Sequence, residues 1–194
     1  MIIIPTVLEK EWPKAEERLE SVKDLTTWIQ IDVTDGNLCF GKTFDLERLS
    51  KYSPNKEVLW DIHLMVKEPI KWLEKCIFVG ASRVIGQVEM MTNREDFVSK
   101  LKDEGMEAGL AFDIDTEIDR IPKETDIILL MGRKLGFENY ELDEKVFKNI
   151  EVAKRMGKTL AVDGGVNENN LEKLKKAGVD FIYSGRSFFK IYDF

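Results

Sequence analysis

The sequence predicts a closed (β/α)₈ barrel, the TIM-barrel fold, as one lean domain over residues 1–194. Short apolar runs alternate with longer amphipathic, charged stretches, which is typical of parallel strands covered by helices. Eight such units follow one another without a Pro- or Ser-rich linker, although 194 residues is below the roughly 250 typical of the fold. An open doubly wound sheet is the alternative, but no Gly-x-Gly-x-x-Gly follows the first strand.

Local spacing predicts each element in turn. The predicted strands are the apolar runs 2–4, 28–33, 57–63, 83–88, 107–112, 126–131, 159–163 and 181–183. The predicted helices are 11–23, 45–52, 69–78, 93–104, 116–121, 143–156, 167–177 and a last one from 187. The first helix carries Ala15, Leu19 and Val22 at helical spacing. Pro69 suits the first turn of its helix, and Gly105 is expected to end helix 93–104.

The composition narrows the classes of function and the compartment. A net charge of −7 argues against a nucleic-acid partner or an anionic membrane surface, but a local pocket can still bind an anionic small substrate. Cys39 and Cys76 are too few for a disulfide framework, so a cytoplasmic location is expected. The apolar run at 1–5 is too short for a signal sequence or a membrane span and predicts a strand instead.

His63, the only histidine, ends the third predicted strand. Barrels keep their chemistry at the carboxyl ends of their strands, so the position favours function. Since there is no second histidine, any site must use carboxylates, amides or backbone groups beside it. The alternative is a buried histidine whose hydrogen bonds are satisfied within the core. Asp61 lies two residues earlier on the same face and either orients His63 or pairs with another neighbour.

Acidic residues end the second predicted strand. Gln30 and Asp32 lie on one face of it because side chains alternate along a strand. Asp32 lies between two apolar residues, so its carboxylate needs a partner. Asp35 and Gly36 are typical of a turn, which is the simpler interpretation of that pair.

Glycine turns follow the seventh and eighth predicted strands. Gly164 and Gly165 lead into the next predicted helix, where backbone N–H groups can approach a phosphate. Gly185 and Arg186 follow the eighth strand, and the arginine adds a charge-assisted donor. Barrels often build phosphate sites from these two loops, so the pattern predicts an anion site.

Together these segments resemble the ribulose-phosphate 3-epimerase family. The resemblance covers nearly every strand end, in the family's order. It runs through PTVL at 5–8, IDVTDG at 31–36, DIHLM at 61–65, KEP at 67–69, Met131 with GF at 136–137, and VDGGV at 162–166.

The resemblance implies a metal-assisted epimerase that interconverts D-ribulose 5-phosphate and D-xylulose 5-phosphate through an enediolate. Asp32 and Asp163 match the catalytic acid/base pair, and both match ligands of a divalent ion, zinc or similar. His63 matches a third ligand, and Gln30 stands where the family has a second histidine. A small phosphorylated sugar is the implied partner, and family members often form homo-oligomers. The matched substrate-binding positions are Thr6, Met65, Met131, Gly136, Gly164, Gly165, Gly185 and Arg186.

The sequence departs from the family pattern at several positions. Gln30 and Gln87 each replace a histidine, and Thr34 replaces a methionine. The loop at 134–140 has lost the paired glycines, and Glu138 is a poor neighbour for phosphate. Arg186 stands where the epimerases have a small residue. An arginine at this position resembles the phosphate site of the related orotidine-phosphate decarboxylase group. The loop at 37–41 is shortened, which can change the cover of the barrel mouth.

Two alternatives to the epimerase stay open. One is an enzyme acting on another sugar phosphate, such as an aldolase or decarboxylase, although no Asp-x-Lys-x-x-Asp follows a strand. The other is a non-catalytic relative that binds a phosphorylated sugar or a protein partner. The two replaced histidines favour this last hypothesis, whereas the retention of Asp32, His63 and Asp163 opposes it.

Overall fold

The computed structural model describes residues 1–39, 41–52, 57–136 and 141–192. Eight parallel strands pair in sequence order, and the last pairs with the first to close a barrel. This confirms the predicted fold class. The strands are β1 (Ile2–Val7), β2 (Trp28–Thr34), β3 (Leu59–Met65), β4 (Ala81–Gln87), β5 (Glu107–Phe112), β6 (Ile127–Met131), β7 (Thr159–Asp163) and β8 (Phe181–Ser184).

Helices surround the barrel, and their apolar faces pack on the strands. The α-helices are α1 (Trp12–Val22), α2 (Leu73–Phe78), α3 (Arg94–Asp103), α4 (Lys145–Ala153), α5 (Leu171–Lys176) and α6 (Phe188–Ile191). Short 3₁₀ helices cover Leu46–Lys51, Pro69–Trp72, Val88–Met90 and Lys154–Met156. Helix α1 buries Ala15, Leu19 and Val22, as their spacing predicted. Gly105 takes a φ of 75° just after α3, as expected of a glycine that ends a helix.

Two helix predictions need correction. The helix predicted at 116–121 is absent, and the chain there has a bend at Thr116 followed by irregular backbone. Arg120 has a φ of 46°, and Arg94 Nη1 donates to the carbonyl of Asp119 at 2.5 Å, so this backbone is committed to non-helical bonds. The helix after β7 was predicted from 167 but begins at Leu171. Asn170 Oδ1 accepts from the N–H of Asn167 at 2.9 Å, which holds the preceding residues in a turn.

The side chains of alternate strand residues form two cores, one inside the barrel and one under the helices. The interior core includes an apolar cluster to which β1 and β4 to β8 contribute. Its buried apolar members are Ile4, Ile85, Ala111, Ile127, Leu129, Met131, Ala161 and Tyr183. The larger core lies between strands and helices and holds most of the other buried aliphatic side chains. The strands are buried on both faces, which explains their nearly continuous apolar sequences.

Toward the amino ends of the strands, the barrel interior holds a buried ion cluster. Arg83 Nη1 donates to Asp61 Oδ2 at 3.0 Å, and the Tyr183 hydroxyl also donates to Asp61 Oδ2. The Arg83 guanidinium lies over the rings of Trp28 and Phe181, at 4.3 and 4.9 Å from their centroids. Burial raises the pKa of Asp61 to about 6 although Arg83 opposes the shift. Asp61 therefore pairs with a neighbour rather than orienting His63.

The strand register brings polar side chains together at the other end of the barrel. Asp32 pairs with His63 across β2 and β3, and Met131 pairs with Asp163 across β6 and β7. Parallel strands place all carboxyl ends at one mouth, so these residues surround a common space. Within the described residues, no helix is long and apolar enough to cross a membrane.

Candidate active site

Three ionisable side chains from three strands meet inside the mouth of the barrel. His63 Nδ1 lies 3.1 Å from Asp32 Oδ1 and 3.9 Å from Asp163 Oδ2. One ligand atom from each residue can be chosen so that all three lie within 4.8 Å of one another. His63 is fully buried, and Asp32 is nearly so. The structure thus brings together the three residues that the sequence singled out for metal binding.

Gln87 fixes the orientation of the His63 ring. Its Oε1 lies 2.9 Å from His63 Nε2. A carbonyl oxygen only accepts hydrogen bonds, so Nε2 must carry the proton of this bond. In the neutral ring, the lone pair then lies on Nδ1, which faces the two carboxylates. Metal-binding histidines have this arrangement, with the other ring nitrogen held by a hydrogen bond.

Burial and mutual charge shift the acidity of this group. Burial alone would lower the pKa of His63, but the hydrogen bond and charge of Asp32 raise it to about 9. Burial and then repulsion from Asp32 raise the pKa of Asp163, and the His63 charge opposes them. With these pKa values the imidazole is positively charged near neutral pH and neutralises part of the charge of the acidic pair.

Gln30 lies on the same inward face of β2 as Asp32 and is fully buried. Neither atom of its side-chain amide has a hydrogen-bond partner in the described part of the chain. A buried amide left unpaired is costly, so such a group is expected to have a further partner. Two carboxylates, one imidazole and an unpaired amide oxygen form a donor set that suits a divalent ion.

Two methionines and a cysteine lie beside the charged group. Met65 and Met131 end β3 and β6, and both are buried. The Sγ of Cys39, in the loop after β2, lies 3.9 Å from Met65 Sδ. Burial raises the pKa of this thiol to about 11, so it stays protonated near neutral pH. The predicted pocket methionines therefore lie at the level of the carboxylates.

Asp35 holds the loops after β2 and β3 together. Its Oδ1 accepts from the N–H of Asn37, and its Oδ2 accepts from the N–H of Lys67, each at 2.9 Å. Gly36 follows with a φ of 83°. These contacts confirm the turn interpretation of this pair, so Asp35 is a structural neighbour of the site.

The turn after β7 needs glycine at both positions. Gly164 and Gly165 have φ values of 94° and 76°. A Cβ on Gly165 would lie 2.5 Å from the backbone nitrogen of Leu142, and one on Gly164 would lie 3.0 Å from Arg133 Cγ. Backbone conformation and close packing thus explain the two glycines without a ligand. Because α5 begins only at Leu171, this turn does not lead directly into a helix, contrary to the prediction.

The turn after β8 is built against β1 and α1. A Cβ on Gly185 would lie 3.0 Å from Thr6 Oγ1, and the Gly185 carbonyl accepts from Arg18 Nη2 at 2.5 Å. Arg186 follows on this turn and is exposed. Thr6 and the turn are therefore neighbours, as expected of a shared site.

Gly136 packs against the loop after β2 rather than against the glycine turns. A Cβ on Gly136 would lie 3.7 Å from the carbonyl oxygen of Leu38. Phe137 and Glu138, which the sequence analysis also singled out, lie outside the described residues.

The family model that matches this sequence is the "Ribulose-phosphate 3 epimerase family", over residues 2–189. The chain belongs to this family. It is 30% identical to a ribulose-phosphate 3-epimerase of Chlamydia trachomatis, covering 88% of this chain and 77% of that protein. It is 24% identical to the one of Aquifex aeolicus, covering 97% and 89% of the two chains.

Solved structures with other names share the fold of this epimerase-family chain. A tryptophan synthase complex from Pyrococcus furiosus has a TM-score of 0.72 at 15% identity, covering 99% of this chain and 89% of that chain. A phosphoribosyl anthranilate isomerase from Thermus thermophilus has a TM-score of 0.66 at 12% identity, covering 96% and 88%. At these identities the likeness concerns the barrel alone.

Arg133 is a charged neighbour of the site that the sequence analysis passed over. It lies two residues past the end of β6, and its charge lowers the pKa of both Asp163 and Cys39 against the effect of burial. A cation so close to a strand end was a usable signal in an epimerase-family barrel.

Proposed function

We propose that this chain is a sugar-phosphate epimerase that interconverts D-ribulose 5-phosphate and D-xylulose 5-phosphate. The observation that carries the proposal is the buried group of Asp32, His63 and Asp163 at the barrel mouth. Relatives at 24% and 30% identity bear the name ribulose-phosphate 3-epimerase, which supports this choice of reaction.

The two aspartates supply the proton transfers. Epimerisation beside a carbonyl breaks a C–H bond, sends its electron pair toward the carbonyl oxygen as an enediolate, and then forms a C–H bond on the opposite face. One carboxylate takes the proton and the other, protonated, returns one. Asp32 and Asp163 come from β2 and β7, so they can face a substrate carbon from two sides. Their roles exchange when the reaction runs in reverse.

The same residues would hold a divalent ion, zinc or similar. Asp32, Asp163 and His63 Nδ1 would be the ligands, and the unpaired oxygen of Gln30 would be available as a fourth. Such an ion supplies Lewis-acid stabilisation of negative charge on the substrate oxygens. The hydrogen bond from His63 Nε2 to Gln87 keeps Nδ1 directed at the site.

The remaining predicted residues would bind the sugar phosphate around this centre. Met65 and Met131 form apolar walls that exclude water beside the carboxylates. The phosphate-binding group is proposed to consist of Thr6, Gly136, Gly164, Gly165, Gly185 and Arg186. The close approach of Gly185 to Thr6 supports one surface formed by Thr6 and the turn after β8.

The test is incorporation of solvent deuterium into D-ribulose 5-phosphate with and without added divalent ions. Wild type should exchange the hydrogen beside the carbonyl. D32N and D163N should each lower the rate about 10²- to 10⁴-fold, because each removes one proton-transfer group.

D35N is the matched control, since Asp35 is an adjacent carboxylate bound to backbone outside the group. It should keep most of the exchange rate. Full exchange in both D32N and D163N would rule out the acid/base assignment.

A second candidate is a relative that binds a phosphorylated sugar without turning it over, or that acts on another sugar phosphate. The replacement of the family's histidines by Gln30 and Gln87 favours it. Binding of D-ribulose 5-phosphate, with no deuterium incorporation whichever divalent ion is added, would support the binding protein. Exchange confined to a different ketose phosphate would support the other enzyme.

A further inference from the structure

Arg133 lies across the glycine turn after β7. A Cβ built on Gly164 would lie 3.0 Å from Cγ and 3.4 Å from Nε of Arg133. Any larger residue at position 164 would therefore push against the arginine side chain. Glycine at this turn leaves the space in which the arginine lies.

The loop that carries Arg133 is held against the barrel mouth. A Cβ on Gly132 would lie only 2.2 Å from the carbonyl oxygen of Gly164, so the two loops are in close backbone contact. The N–H of Leu135 donates to Asp113 Oδ1 at 3.1 Å, which ties the loop to the end of β5. Gly136 contacts the loop after β2 on the other side. Arg133 thus starts from an anchored backbone.

The surrounding charges make a cation useful at this place. Asp32 and Asp163 line the mouth, and Asp113 with Glu89 lies at the ends of β4 and β5, where the N–H of Asp113 donates to Glu89 Oε1 at 2.8 Å. The chain as a whole carries a net charge of −7. A phosphate ester brings about two further negative charges, so its entry is opposed unless a positive group lies beside it.

We propose that Arg133 binds the phosphate of the substrate over the Gly164 turn and thereby selects phosphorylated sugars over neutral ones. This inference rests on the proposed function for the choice of a ketose phosphate. The guanidinium presents parallel N–H donors that match two phosphate oxygens, and the adjacent backbone turn leaves the space above Gly164 open to it. Arg133 therefore supplies charged donors beside a loop whose sequence at 134–140 lacks the paired glycines of the family.

The test compares R133Q and R133K with wild type in calorimetric titrations. The ligands are D-ribulose 5-phosphate, inorganic phosphate and D-ribulose. R133Q should weaken binding of both phosphate compounds about 10- to 100-fold and leave D-ribulose unchanged, because it keeps a polar amide but loses the charge and the paired N–H donors of the guanidinium. R133K keeps the charge but loses the paired donors, so its loss should be smaller, roughly 3- to 10-fold.

K134Q is the matched control, because Lys134 is the next cation in the loop and pairs with Asp115 at 3.5 Å. It should change none of the three affinities. Wild-type affinity for both phosphate compounds in R133Q would overturn the inference. If R133Q does not fold, an unchanged R133K affinity overturns it instead.

The same data separate this inference from the proposed function. Phosphate binding that depends on Arg133, in a wild-type protein that shows no deuterium exchange, would support the inference and refute the epimerase. Exchange by wild type, with an R133Q variant that keeps the wild-type KM for D-ribulose 5-phosphate, would support the epimerase and refute the inference.

Discussion

Gln30 is the residue at which this site differs most from the family pattern. It replaces a histidine, and both atoms of its buried amide lack partners in the described part of the chain. An amide oxygen is a weaker ligand for zinc than imidazole. The metal affinity of the wild-type protein should therefore be lower than that of a site with two histidines.

Replacing Gln30 by histidine should raise the affinity for zinc by at least about tenfold, because it adds an imidazole on the face that carries Asp32. Q30L removes both amide atoms and should hold zinc no better than wild type. Competition with a chromophoric chelator measures all three affinities. Stoichiometric zinc retained by wild type as tightly as by Q30H would contradict the prediction.

The sequence was sufficient to predict which strand-end residues meet. Asp32, His63 and Asp163 gather because strand alternation and the parallel barrel fix the faces and the end on which they lie. The contact between His63 and Gln87 could not be predicted, since it depends on the pairing of β3 with β4, whose register shifts near Asp61. The position of Arg133 depends on how its loop packs against the turn at Gly164. Loops have no helix or strand periodicity from which that packing could be predicted.

At the scale of elements, α1 supports the turn after β8. Arg18 projects from α1 and donates to the carbonyl of Gly185, and its guanidinium lies 5.0 Å from the centroid of the Phe189 ring. The helix thereby holds the turn that lies against Thr6. The shape of this part of the mouth depends on a helix that contributes no predicted site residue.

R18Q should lower the free energy of unfolding by about 1.5–3 kcal/mol, because it removes a charged donor from a carbonyl and the contact with Phe189. Urea denaturation measures the change. K14Q, on the exposed side of the same helix, is the control and should change stability by less than about 0.5 kcal/mol. A loss in K14Q equal to that in R18Q would assign the effect to helix propensity instead.

All eight strands were predicted within a few residues, because buried parallel strands have nearly continuous apolar sequences. Helix limits were less predictable. A helix was expected at 116–121, yet Arg94 binds the Asp119 carbonyl and the backbone there is irregular. Such long-range side-chain contacts override local propensity and leave no local pattern in the sequence.

At the scale of the whole molecule, the barrel interior holds two separate groups of polar side chains, one at the carboxyl ends of the strands and one toward their amino ends. The mouth holds the Asp32, His63 and Asp163 group, and the opposite end holds Arg83 with Asp61 and Tyr183. The two groups are parts of the same strands, β3 supplying both His63 and Asp61. We expect the mouth to serve chemistry and the other end to serve stability, since barrels separate these roles in this way.

Removing the charge of Arg83, the cation of the group toward the amino ends of the strands, tests this division of roles. R83M leaves the fully buried Asp61 carboxylate without its ion pair, so the free energy of unfolding should fall by about 3–5 kcal/mol. The double variant D61L/R83M removes both charges and should recover much of the loss.

Urea denaturation measures the free energy of unfolding. The rate of deuterium incorporation into D-ribulose 5-phosphate, taken at low temperature, measures the activity of the site at the barrel mouth. Exchange per folded molecule should stay near wild type in both variants, because the altered contacts lie at the amino ends of the strands. If the double variant recovers its stability but loses most of the deuterium incorporation, the ion cluster of Arg83 and Asp61 also positions His63.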